Sequence, residues 1–75
     1  MRFDPRALQR LRKRRGWTIA QAAEKIGVSR QSISYFESGA VRPSAKTLGL
    51  MADVFRVPVG RFYTKNGGDD AREDS

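Results

Sequence analysis

Arg30, Gln31, Ser34 and Tyr35 are side chains that can hydrogen-bond the edge of a planar, polar partner. They fall inside residues 29–38. If Ile33 and Phe36 are taken as the inward face of a helix there, these four remain on its outer face. The chemistry they suit is the reading of base edges. Arginine donates two hydrogen bonds to guanine O6 and N7, glutamine pairs bidentately with adenine, and tyrosine packs on a thymine methyl or reaches a phosphate. Arg30 and Gln31 lie in the first turn, the end that enters the major groove when such a helix docks on duplex DNA. The same four types also make an ordinary solvated face, so the elements that hold them must decide between the two.

Charge favours an anionic partner. The chain has 75 residues and a formal net charge of +7. Residues 66–75 carry Asp69, Asp70, Glu73 and Asp74 against Arg72, a net of −3, which leaves +10 on residues 1–65. An excess of that size on a small domain attracts DNA, RNA or an anionic membrane. Cysteine and histidine are absent, so neither a disulfide nor a Cys/His zinc site supports the fold, and no cofactor is expected. General acid–base chemistry has few candidates in residues 1–65, which argues against an enzyme. No apolar run approaches the ~20 residues of a membrane span, and Met1-Arg2-Phe3-Asp4 does not open a signal peptide. The expectation is a soluble cytoplasmic protein with no membrane partner.

The elements follow from caps and periodicity. Asp4-Pro5 starts a first helix over about 5–15, with Ala7, Leu8 and Leu11 inward and Gly16 at its end. Thr18 and Gln21 form a capping box for a second helix over 19–26, on which Ile19, Ala22, Ala23 and Ile26 share one face. Gly27 ends it, and after Val28 alone Ser29 caps a third helix over 30–38, stopped by Gly39. Val28 and Ile33 are spaced as a hydrophobic staple. Two short helices joined so tightly must cross steeply, as in a helix-turn-helix.

Pro43-Ser44 opens a fourth helix over 45–55, with Leu48, Met51, Ala52 and Phe55 inward. Val57-Pro58 precedes an expected fifth over 59–63. Gly49 and Gly60 would weaken these last two helices by up to ~1 kcal/mol each, unless Gly49 permits a close helix approach. No strand signal is present. The fold class expected is all-α, a compact five-helix bundle within residues 1–65, followed by an acidic, disordered tail over 66–75.

The run from Trp17 through Thr18, Ala23, Gly27 and Ser29 resembles the Cro/repressor (Xre-like, lambda-repressor-like) helix-turn-helix family. So do Ile33-Ser34, Glu37-Ser38-Gly39, Arg42-Pro43-Ser44 and the helix bearing Leu48, Ala52 and Phe55. The resemblance covers about residues 4–63. It implies a five-helix bundle that binds operator DNA, usually as a homodimer, to repress or activate transcription in a prokaryote or phage. It also implies that Glu37 pairs with Arg12 to brace the fold. Ile19 stands where many members carry a phosphate-anchoring Gln, and Pro58 where many carry a Ser or Asp cap.

Phosphate contacts are expected to frame the third helix. Thr18 and free backbone N–H groups lie at the start of the second helix; Ser38 and Arg42 flank the far side; Arg14, Arg15 and Lys46 are further basic or polar candidates. Val59, Phe62 and Tyr63 are the expected dimer surface, with closure of the monomer's own core as their alternative. Other readings are a DNA-binding antitoxin with a toxin partner and a basic protein that binds polyanions without sequence preference. No small-molecule ligand is expected.

Overall fold

The structure, a computed structural model, describes residues 2–64. Its elements are β1 (Arg2–Phe3), α1 (Pro5–Arg14), α2 (Ile19–Ile26), α3 (Arg30–Ser38), α4 (Ala45–Phe55), a 3₁₀ turn (Val59–Phe62) and β2 (Tyr63–Thr64). The expected tail over 66–75 lies outside the described residues.

Each α-helix begins where a short polar side chain takes up an orphan backbone N–H. The Asp4 carboxylate accepts from Arg6 N at 3.0 Å, and Ser29 Oγ accepts from Ser32 N at 3.1 Å. Thr18 and Gln21 make the reciprocal box, each side chain bonding the other's N–H at 3.1 and 2.9 Å. Ser44 Oγ accepts from Thr47 N at 3.2 Å. Caps of this kind contribute about 1 kcal/mol each. α2 and α3 both stop on left-handed glycines, Gly27 at φ 91° and Gly39 at φ 84°. α4 stops on Arg56, which adopts the same left-handed conformation at φ 58° without being a glycine.

The inward stripes meet in one core. Leu8 of α1, Ile33 of α3, and Met51 and Phe55 of α4 are fully buried, with Ala23, Ile26 and Phe36 packed among them. Ala23 is 2% exposed beside the α2–α3 turn, where its carbonyl accepts from both Gly27 N and Val28 N. A larger side chain there has nowhere to go. Ala23→Leu is expected to cost about 1–3 kcal/mol through overpacking, read as a lower melting temperature.

The C-terminal end differs from the sequence expectation. The fifth helix over 59–63 does not form: Val59–Phe62 is one 3₁₀ turn, and Tyr63–Thr64 continue as a strand. The described residues therefore form four α-helices and a small β-clasp rather than a five-helix bundle. β1 and β2 pair antiparallel, Arg2 opposite Thr64 and Phe3 opposite Tyr63. Asp4 N donates to Phe62 O at 2.7 Å beside them. A segment of that length, following Pro58 and containing Gly60, makes too few i→i+4 bonds to offset helix nucleation. Two-residue strands, in turn, are too short to carry an alternating pattern.

Phe62 is fully buried. It stacks on Phe3 at 6.5 Å with an interplanar angle of 17°, and lies 6.2 Å from the Phe55 ring. Its assignment to a dimer surface is therefore corrected: it closes the protomer's own core. Val59 stays 40% exposed and Tyr63 is half-buried. Gly49 has no neighbour within 4 Å of the position a Cβ would take, so it permits no close helix approach.

Candidate nucleic-acid interface

α3 is divided lengthwise. Ile33 and Phe36 are buried, while Arg30, Gln31, Ser34 and Tyr35 all stand exposed on the opposite side. Tyr35 is a large aromatic left 44% exposed. Gln31 Nε2 donates to Tyr35 Oη at 2.8 Å, one turn along the helix. Four side chains with donors, acceptors and a ring thus share one surface of a helix whose other side is fixed.

A buried ion pair does much of that fixing. Arg12 Nε donates to Glu37 Oε2 at 2.6 Å and Arg12 Nη2 to Glu37 Oε1 at 3.0 Å, a bidentate bridge from α1 to α3. Arg12 Nη1 also donates to the Trp17 carbonyl at 2.9 Å, tying down the α1–α2 connection. The two side chains are only 10% and 7% exposed. The hydrogen bond that Arg12 donates to Glu37 raises the Arg12 pKa, against the opposing effect of burial. Arg12 stays charged, and the pair holds the angle of α3 with little dependence on salt.

The phosphate candidates do not share one state. Arg14, Arg42 and Lys46 are exposed, with no carboxylate partner among the described residues. Thr18 spends an acceptor lone pair on Gln21 N and keeps its own O–H for a further acceptor. Ser38 Oγ is turned back onto its own helix, donating to Tyr35 O at 3.0 Å and accepting from Ala40 N at 3.3 Å. Arg15 is engaged elsewhere. Its Nη2 donates to the Phe55 carbonyl, and its guanidinium lies 5.5 Å from the Trp17 ring centroid and 5.8 Å from that of Phe55. It satisfies an orphan carbonyl at the C-terminus of α4, where a cation is also favoured by the helix dipole.

One basic residue escaped the sequence reading. Arg2 lines the same open groove as Arg42, between β1 and the α3–α4 loop. Nothing in the sequence placed it there, because the groove exists only once β1 pairs with β2.

The Helix-turn-helix family model matches residues 8–62, which spans α2, α3 and the turn between them. The chain belongs to this family. Its type is the Cro/repressor (Xre-like) one, whose members are DNA-binding regulators and not enzymes. Relatives include the HTH-type transcriptional regulator AnsR of Bacillus subtilis, 35% identical over 48 residues, or 64% of this chain and 41% of AnsR. The HTH-type transcriptional regulator SutR of Escherichia coli is 34% identical over 63 residues, 84% of this chain and 35% of SutR. Among solved structures, the N-terminal DNA binding domain of SinR from Bacillus subtilis superposes with a TM-score of 0.73 at 26% identity, covering 84% of this chain and 94% of that one. The chain thus spans well under half the length of AnsR and SutR and nearly all of the SinR domain.

This helix-turn-helix domain handles its departures from the family pattern in its own way. Ile19 is half-buried and packs against the core, adding to the fold instead of facing outward for a phosphate. Gln21, two residues on, has its side-chain carbonyl committed to Thr18 N. Pro58 precedes the 3₁₀ turn without any side-chain cap, in keeping with the shortness of that turn. No helix among the described residues is long and apolar enough to cross a membrane.

Proposed function

We propose that this helix-turn-helix domain binds double-stranded DNA sequence-specifically through the major groove and regulates transcription, as a repressor acting on a near-palindromic operator. The observation that carries the reading is the division of α3. Arg30, Gln31, Ser34 and Tyr35 are exposed together on a helix held from behind by Ile33, Phe36 and the Arg12–Glu37 bridge. The names of the relatives and the likeness to the SinR DNA binding domain support it. Arg14, Arg42, Lys46 and the Thr18 hydroxyl are the proposed backbone contacts, and Arg2 joins Arg42 on its side.

A homodimer is part of the proposal. Two copies would set their α3 helices about 34 Å apart, one DNA turn, and so match an operator with two-fold symmetry. Val59 and Leu50, each 40% exposed, are apolar surface available for such a contact. Sedimentation that finds a monomer both free and on DNA would remove this part. Setting in a reducing cytoplasm belongs to the same proposal.

The test is selection from a random duplex library, followed by binding of variants to the selected duplex. Arg30→Ala and Gln31→Ala are each expected to keep the fold and to cost about 1–3 kcal/mol of specific binding. Preference for the selected duplex should survive rising salt, whereas charge-only binding would lose all sequences together. Recovery of no preferred sequence would overturn the reading.

A further inference from the structure

Gln31 and Tyr35 are bonded to one another in the free protein, and the chemistry of that bond bears on what the interface reads. A glutamine amide has two N–H donors and a carbonyl. One N–H goes to Tyr35 Oη at 2.8 Å. The second N–H and the carbonyl remain, and these are the donor and acceptor needed by adenine N7 and the adenine N6 amino group.

The bond also restrains a side chain that is otherwise costly to order. Glutamine loses as much rotamer freedom on immobilisation as almost any residue, whereas tyrosine has few torsions to fix. Helical side chains lean toward the N-terminus, so an aromatic one turn later is placed to hold Gln31 from behind. Tyr35 has a firm base for this. Its carbonyl accepts from Ser38 Oγ, Ala40 N and Val41 N at 3.0, 3.1 and 3.4 Å, which ties the end of α3 to the following loop. Both side chains are exposed and neither has a role in the core.

We propose that Tyr35 is the positioning residue for Gln31, and that the two side chains read an adenine as a unit. The inference rests on α3 being the base-reading helix, and it adds the residue that sets specificity at one base pair.

The experiment takes the duplex that the wild-type chain selects from a random library, together with each of its single base-pair variants. Wild type, Gln31→Ala, Tyr35→Phe and the double variant are compared. Tyr35→Phe keeps the ring and removes only the hydroxyl. It is expected to weaken binding to the selected duplex by roughly 2- to 12-fold, the range of one hydrogen bond. The discrimination it loses should fall at the same A·T pair that Gln31→Ala relaxes, with other positions unchanged. In the Gln31→Ala background the Tyr35→Phe change should then have no further effect. Trp17 fluorescence and the melting temperature should not move in either variant. Additive effects, or relaxation at different base pairs, would mean that Tyr35 contacts DNA independently and would overturn the inference. So would a Tyr35→Phe chain that binds and discriminates like wild type. A library that yields no preferred sequence with the wild-type chain defeats the base-reading proposal itself, which is a separate outcome.

Discussion

Glu37→Ala is expected to lower the unfolding free energy by about 3–5 kcal/mol, the cost of leaving a buried charge without its partner. The Arg12 guanidinium is buried, and Glu37 takes two of its three hydrogen bonds. Without the carboxylate, only the Trp17 carbonyl remains to it. A domain of this size has a net stability of about 4–11 kcal/mol, so the loss is a large share of the total. Urea denaturation followed by the single tryptophan, Trp17, measures it directly, since Trp17 lies 5.2 Å from the Phe55 ring.

Arg12→Met combined with Glu37→Leu is the matching control. Apolar side chains of similar volume remove both charges, and much of the lost stability should return. If the double variant is as unstable as Glu37→Ala, the penalty does not come from an unpaired charge. The sign of the pH dependence is also set. A cation whose pKa is raised on folding contributes stability that is fully present below its unfolded value and is lost only as pH rises through the folded one. For Arg12 that loss lies far into alkali. Its contribution should therefore be the same at pH 6 and pH 9.

The sequence was most legible where the physics is local. Thr18 with Gln21, Ser29 with Ser32 and Ser44 with Thr47 act across three residues, so the starts of α2, α3 and α4 could be read directly. The outer face of α3 was legible by subtraction, because Ile33 and Phe36 are the only large apolar residues on it apart from Tyr35. Partnerships across long separations left no such trace. The Arg12–Glu37 bridge joins residues 25 apart, and only family resemblance pointed to it. Arg15 read as one more basic residue in a run, yet it serves the Phe55 carbonyl 40 residues away. The β-clasp failed for the same reason: Arg2–Phe3 and Tyr63–Thr64 make sense as strands only when paired. Apolar Val59, Phe62 and Tyr63 were ambiguous between core and surface, because a short segment has no period to separate them.

Phe62→Ala resolves that last ambiguity. The ring is fully buried between Phe3 and Phe55, and large-to-small truncation of a core phenylalanine costs about 3–5 kcal/mol. Its backbone carbonyl accepts from Asp4 N where β1 gives way to α1, so loosening this site should free both ends of the domain. Val59→Ala, at an exposed position three residues away, should change protomer stability by no more than about 0.5 kcal/mol. The comparison is made by urea denaturation at two protein concentrations. Loss of a contact within one protomer is independent of concentration, whereas loss of a contact between copies diminishes on dilution as the dimer dissociates. The Phe62→Ala deficit is expected to be equal at both concentrations. A deficit confined to the concentrated sample would return Phe62 to the surface between subunits and contradict the packing of its ring on Phe3.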